Sequence, residues 1–337
     1  MINSTTKNVI IDCDPGIDDA VAILFALSHP LLNIRAITTV SGNLLADICS
    51  KNARKILHLS GHAEARLIPV AGGPLRPLVR PYPRDPFSHG ADGLGDLGIT
   101  DDGGLEETRQ FAPDLILETV EKYYKCQGGV SIICLGPLTN IALALMKDAT
   151  LPSKVSEMYH IGGSFGFNNA GSVRATGGNP VSEWNVYVDP EAADIVFRAG
   201  FNLVALGLDV TTRPDIELSA EHRVKLHGAA EDGSACPRFL LDVIRFGELR
   251  QFASWCCLID SVAVAVAVDP TLVVCEEISV AVETQSTLSL GQTIVDRRER
   301  KDHRWKEEKR IKAAKDIDAS RFLDLLVATL AGDTPRQ

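Results

Sequence analysis

Residues 10–20 read IIDCDPGIDDA, an apolar run followed by four carboxylates, Asp12, Asp14, Asp18 and Asp19, inside eight positions. The β-branched stretch NVII, from residue 8, has the composition of a buried strand. Pro15-Gly16 supplies a turn, and the segment after it puts Ile17, Val21, Leu24 and Phe25 on one helical stripe. A strand, a sharp turn and a helix with acids gathered at the joint is how an open α/β sheet begins. Ligands of such sheets bind at the carboxyl ends of the strands.

The same alternation continues along the chain. IRAITTV near 34, RLIPV near 66, GVSIICL near 129, MYHIGG near 158 and LVALGLDV near 203 read as strands, and APDLILETVEKYY and PLTNIALALMKD have helical spacing. Strand and helix in turn predict a Rossmann-like α/β fold, an open, mostly parallel sheet with helices on both faces. No linker or repeat divides the sequence, so a single domain over 1–337 is expected. Two stretches rich in Gly, Pro and Asn, 72–98 and 166–185, are long irregular loops, and loops of that length are usually functional.

Bulk properties narrow the function. With 337 residues, 45% hydrophobic, the chain can bury a substantial core. A net charge of −10 argues against nucleic-acid binding, which needs clustered positive charge, and favours a small molecule or a metal as partner. The start MINSTTKNV lacks a basic segment followed by an apolar one, and VAVAVAV at 262–268 is too short to span a bilayer, so a cytoplasmic protein without a membrane partner is expected. Eight scattered cysteines with no CxxC pair read as buried thiols in a reducing compartment. The basic stretch 296–316 reads as a solvated surface segment, with a partner-binding patch as the alternative.

The acidic cluster then asks what makes so much negative charge tolerable. Helix capping accounts for Asp18 or Asp19, each favoured by about 0.5 kcal/mol at a helix N-terminus, and leaves Asp14 without a role. Repulsion among four neighbouring carboxylates is on the order of several kcal/mol at an effective dielectric near 20, which raises pKa values or demands a counter-cation. An EF-hand loop counted from Asp12 would put Gly16, Ile17 and Ile23 at its fifth, sixth and twelfth positions, where Asp or Asn, Gly and Glu are needed. A phosphatase of the haloacid-dehalogenase type would carry DxDx[TV] after the first strand, where this chain has DCDPG. A hard divalent cation with oxygen ligands answers the question most directly.

DCDPGIDDA matches in full the DxDxGxDD element of the inosine-uridine-preferring nucleoside hydrolase family, which the chain resembles. The likeness extends through TTVSGN (38–43), SHGADGLGD (88–96), LGPLTNIALAL (135–145), IGGSF (161–165), GNPVSEWNVYVDPEAA (178–193) and DSVAVAVAVDP (260–270). It implies the nucleoside hydrolase fold, a small-molecule nucleoside as partner, a homo-oligomer (dimer or tetramer), and one Ca²⁺ under a ribose pocket. By the resemblance Asp14, Asp19, Asp260 and the backbone carbonyl of Leu135 ligate the metal. Asp18, Asn43, Asn179, Glu183 and Asn185 grip the ribose hydroxyls. Leu135 stands where many members have Thr, and the family's longer form has two more residues between Asn179 and Glu183.

The resemblance implies cleavage of an N-glycosidic bond through an oxocarbenium-like transition state, with Asp14 taking the proton of the attacking water. The leaving-group end departs from the pattern. Members that prefer inosine and uridine have a His just before the C-terminal Asp ligand, whereas this chain has Ile259 before Asp260. Purine-selective relatives stack the base on Trp in this region, and Trp255 is four positions upstream. His89 is a further candidate for the base or the 5′ side of the ribose. The leading expectation is a Ca²⁺-dependent N-ribohydrolase leaning to purine or activated ribosides. The rival is a ribosyl-binding protein that kept the metal and lost the acid.

Overall fold

A computed structural model describes residues 6–84, 88–168, 174–298 and 309–334 of the chain. Nine strands, β1 (Lys7–Cys13), β2 (Leu32–Thr39), β3 (Val70–Gly72), β4 (Val130–Cys134), β5 (Met158–Ile161), β6 (Leu203–Leu206), β7 (Val273–Val282), β8 (Thr293–Val295) and β9 (Arg310–Ile317), form one sheet in the order β3-β2-β1-β4-β5-β6-β9-β7-β8. All pairings from β3 to β9 are parallel; β7 runs antiparallel to β9 and β8. The expected parallel sheet is therefore present, with an antiparallel extension at one edge.

Successive residues of a strand point to opposite faces, and the two apolar cores divide accordingly. Val9 and Ile11 enter one core and Ile10 the other; Ile133 and Tyr159 join the first, Ile132 and Met158 the second. Helices α1 (Ile17–Ser28), α2 (Ala46–Leu59), α10 (Ala235–Leu249), α11 (Ser261–Val268) and α12 (Ala319–Leu330) pack on the first face. On the second lie α3 (Ala112–Tyr123), α4 (Thr139–Lys147) and α7 (Pro190–Phe197). The short helices α5 (Leu151–Lys154), α6 (Trp184–Val188), α8 (Leu208–Thr211) and the longer α9 (Ala220–Glu231) fill the connections. No described helix is long and apolar enough to cross a membrane.

Three expectations change. The stripe on α1 is instead an all-round burial from Ile17 to Ala26, because the helix lies between the sheet and α2, α10, α11 and α12. RLIPV begins as a 3-10 helix, Ala63–Leu67, and extended pairing starts only at Val70. The basic stretch 296–316 is not all solvated surface: 299–308 lie outside the described residues, while Arg310–Ile317 is β9, wedged between β6 and β7. Ile311 and Ala313 are buried in one core and Ala314 in the other, while Lys312 and Lys315 are exposed, so the strand's apolar positions are hidden among positive charges.

The chain order reverses at β1, which is flanked by β2 on one side and β4 on the other. That switch point opens a crevice at the carboxyl ends of β1 and β4, where the connections leave in opposite directions. Asp12 sits opposite both Thr38 of β2 and Cys134 of β4, which brings the turn after β1 to the mouth of the crevice.

His160, on β5, is fully buried beside the Phe197 ring, and burial pushes its pKa down from 6.5 to about 3. Below pH 6.5 the unfolded chain takes up a proton there that the native chain refuses, so stability falls as pH falls toward 3. Relative to His160→Leu, the wild type should lose about 1 kcal/mol of unfolding free energy per pH unit below about 6. Urea unfolding of both proteins at pH 7 and pH 5 measures this, and a pH-independent gap between them would contradict it.

Candidate functional site

The crevice holds a cavity lined by polar groups, Asp18, Asn43, His89, Glu183, Asn185 and Asp260 among them, and by Trp184, Leu208, Thr211, Trp255, Cys256 and Ile259. Among the described residues that line it there is no Lys or Arg. The carbonyl ends of β4, β5 and β6 form the floor through Leu135, Ile161 and Leu206.

The turn after β1 is held by its own acids. Asp19 accepts hydrogen bonds from the N–H groups of Asp14 and Gly16 (3.0 Å each), so it closes the start of α1 as a cap does. The Asn43 side-chain amide donates to the same carboxylate at 3.0 Å. Asp14 accepts from the Asn43 N–H at 2.6 Å through Oδ2, while its Oδ1 is buried without a hydrogen-bond partner among the described residues. Gly42 and Gly136 close in on this carboxylate so tightly that a Cβ on either would collide with it.

Asp260 stands immediately before α11 and brings a third element to the cluster. Asp18, Asp19 and Asp260 each offer an oxygen, and these three atoms lie within 4.8 Å of one another. Burial, followed by the negative charge of its neighbours, pushes Asp14 and Asp260 well above the usual carboxylate range and Asp19 up to about 6. Three buried carboxylates this close form an all-oxygen donor set of the kind a hard cation requires. Of the expected ligands, Asp19 and Asp260 share the tight group with Asp18, and Asp14 lies within their electrostatic reach. The Leu135 carbonyl lines the cavity and already accepts from Asn185 Nδ2 at 2.6 Å; its second lone pair is available.

Asp12 takes a different role from the acids that follow it. It accepts from Thr38 Oγ1 (2.6 Å) and Asn140 Nδ2 (2.8 Å), tying β1 to β2 and α4, and burial outweighs these bonds to push its pKa up to about 7. Like Asp14 and Asp19, it is not among the described residues that line the cavity.

On the far wall Glu183 caps α6, accepting from the N–H groups of Asn185 (2.9 Å), Val186 (3.0 Å) and Gly163 (3.1 Å). Burial pushes it up to about 7 against those donors. Asn185 commits its amide nitrogen to the carbonyls of Leu135 (2.6 Å) and Ile161 (3.0 Å), which leaves its side-chain oxygen as the group to meet a ligand. Asn179 is not brought to the cavity: its amide donates to the Leu290 carbonyl at 2.8 Å and accepts from Val181 and Ser182. His89 lies 3.6 Å from Asp18, and its Nδ1 accepts from the Ile17 N–H at 3.2 Å, which puts the ring proton on Nε2.

Trp255 and Ile259 line the cavity. Trp184, Cys256, Thr211 and Leu208 line it as well and were not singled out from sequence. Adjacency was the signal for two of them: Trp184 lies between Glu183 and Asn185, and Cys256 follows Trp255. Thr211 and Leu208 carried no such mark, because LDVT reads as the end of a strand rather than the helix it forms.

Comparison with known proteins bears directly on this geometry. The family model for inosine-uridine preferring nucleoside hydrolase matches residues 9–324. A pyrimidine-specific ribonucleoside hydrolase, RihA of Shewanella sp. (strain MR-7), is 35% identical, with 98% of each chain covered. The inosine-uridine preferring nucleoside hydrolase of Leishmania major is 32% identical over 86% of this chain and 88% of its own. The solved structure of a purine-preferring ribonucleoside hydrolase from Gardnerella vaginalis superimposes with a TM-score of 0.79 at 30% identity, covering 97% of this chain and 98% of that one. A match over nearly the whole chain, on a fold whose switch-point crevice gathers the acids of the DxDxGxDD element, shows that the chain belongs to the inosine-uridine preferring nucleoside hydrolase family and is a nucleoside N-ribohydrolase.

Proposed function

We propose that this nucleoside hydrolase depends on Ca²⁺, held by Asp14, Asp19, Asp260 and the Leu135 carbonyl with Asp18 beside them, and that its base end favours purines and ribosides whose base departs readily. The observation that carries the metal reading is the approach of Asp18, Asp19 and Asp260 oxygens within 4.8 Å on a wall without Lys or Arg. Like charges so close in a buried setting need a cation or protons. A bound Ca²⁺ would neutralise the cluster, anchor the sugar diol and acidify water modestly.

The residues of the chain then divide the work. Asp18, Asn43, Glu183 and Asn185 hold the ribose hydroxyls, since carboxylates and amides match both donor and acceptor of each hydroxyl. Water attacks C1′ as the bond to the base nitrogen breaks and its electron pair leaves with the base; Asp14 takes the proton of the water. Positive charge that develops on the ribose ring is stabilised by the surrounding carboxylates.

Protonation of the base is the weak point. Ile259 has no proton to give, and the apolar wall of Trp255, Trp184, Leu208 and Ile259 offers stacking instead. The relatives' names divide between pyrimidine and purine preference, so the lean to purines rests on the two indoles at this end. Rescue of a purine comes from a ring nitrogen protonated by water or by the Nε2–H of His89.

Three outcomes test this reading. Protein treated with chelator should lose riboside hydrolysis and regain it with added Ca²⁺; calcium-free protein that hydrolyses at the full rate would remove the metal from the mechanism. Asp14→Ala should lower kcat by about 10²- to 10⁴-fold, the usual worth of a general base, while Glu183→Ala acts mainly on KM; steady-state kinetics of both variants separate these effects. Finally, rates should fall in the order p-nitrophenyl riboside, purine ribosides, uridine, with an acid-dependent gap of about 10²- to 10⁴-fold between the extremes. Ile259→His should narrow that gap, and uridine cleaved as fast as the activated riboside would show that an acid is already in place.

A further inference from the structure

Helix α8 contributes Leu208 and Thr211 to the base end of the cavity, yet its most heavily bonded side chain, Asp209, faces elsewhere. Asp209 is 1% exposed, and its carboxylate accepts from the N–H groups of Phe165 (2.7 Å), Phe167 (2.8 Å) and Asn168 (3.4 Å). Asn168 returns a bond from its side-chain amide to the Asp209 carbonyl at 2.7 Å. Farther along the same loop, the Arg174 guanidinium donates to the carbonyl of Thr212, the residue that ends α8, at 2.6 Å. One four-residue helix therefore grips the loop on both sides of 169–173.

What this loop carries gives the grip its consequence. At its start Gly163 accepts from the Leu208 N–H at 2.9 Å through its carbonyl and donates its own N–H to Glu183 at 3.1 Å. At its end lie Thr176, which accepts from the Trp184 N–H at 2.9 Å, and then Glu183, Trp184 and Asn185 on the cavity wall. The polar end and the base end of the cavity thus share a single anchor. We propose that Asp209, assisted by Arg174, is a positioning residue that sets the distance between the ribose-binding wall and the base wall, and so governs affinity for the sugar rather than the bond-breaking step.

The inference rests on the assignment of Glu183 and Asn185 to ribose binding, and the two can fail separately. Asp209 touches neither the substrate cavity nor the carboxylates near Asp14, so its removal should act on binding. The side chain is surrounded by donors; Asp209→Asn keeps its shape and turns one acceptor into a donor that faces an N–H group. Arg174 is half-buried, and Arg174→Ala deletes only the second grip, which keeps the question answerable if the Asp209 variant does not fold.

The experiment measures kcat and KM for p-nitrophenyl riboside, and inhibition by free ribose, in wild type, Asp209→Asn, Arg174→Ala, Arg174→Lys and Glu183→Ala, all loaded with Ca²⁺. Arg174→Ala should raise KM and the ribose inhibition constant together by about threefold and Asp209→Asn by about tenfold, which is about 1.4 kcal/mol, with kcat changed less than about threefold. Arg174→Lys, which keeps a donor for the Thr212 carbonyl, should recover part of the affinity. A structural role alone would lower the melting temperature and leave both constants where they were, and that result in folded Asp209→Asn and Arg174→Ala overturns the proposal. Should Glu183→Ala also leave ribose inhibition unchanged, the ribose assignment itself is at fault; a ribose effect in Glu183→Ala but not in the other variants sinks the positioning role alone.

Discussion

Asp18, Asp19 and Asp260 bring carboxylate oxygens within 4.8 Å of one another at a place the fold has largely closed to water. Repulsion of that kind is held in check from behind. The N–H groups of Asp14 and Gly16 and the amide of Asn43 all point at Asp19, while the Asn43 N–H points at Asp14. Preorganised donors of this kind fix the acids in place before any ligand arrives. Much of the neighbouring structure follows from this need. Gly42 and Gly136 lack side chains where the Asp14 carboxylate must fit, and Asp12 staples β1 to β2 and α4 so that the turn cannot drift. The all-round burial of α1 has the same effect on Asp18 and Asp19, since a helix packed on every side cannot rotate its first turn.

The cavity joins two kinds of surface. Glu183 and Asn185 are hydrogen-bonded to backbone, while two indoles, a thiol and Ile259 make up much of the apolar lining. Family members named for pyrimidines and for purines resemble this chain to similar degrees. Such a division fits a common ribose site joined to a wall that varies, because a hydrophobic wall discriminates by only about 1–3 kcal/mol per methylene whereas unmet hydrogen bonds cost far more.

Much of this was legible in the sequence, for identifiable reasons. The first strand, turn and helix announced themselves because the β-branched run, the Pro-Gly turn and the paired acids each obey a local rule. Asp18, Asp19 and Asp260 come together in space, and Asp18, Asp260, Glu183 and Asn185 line one cavity. Asn179 was harder, since an Asn in a loop serves a turn or a ligand equally well, and here it is occupied by Leu290, Val181 and Ser182. The strand β9 was concealed because its exposed Lys and Arg dominate its composition, while Ile311 and Ala313 enter one core and Ala314 the other. Asp209 gave no signal at all: its partners are backbone N–H groups some forty positions away, and backbone leaves no mark in a sequence.

The place of β9 bears on how the chain reaches this state. β6 finds its outer neighbour in a strand about a hundred residues farther on, and β7, made earlier than β9, pairs with it from the other side. During synthesis, then, the outer edge of β6 and the whole of β7 wait without their shared partner until residues 310–317 emerge. Pairings so distant in sequence form slowly, and an unpaired edge invites association with other chains in the interval. The exposed Arg310, Lys312 and Lys315 of β9 suit that interval, since charge on an unpaired strand opposes its pairing with copies of itself.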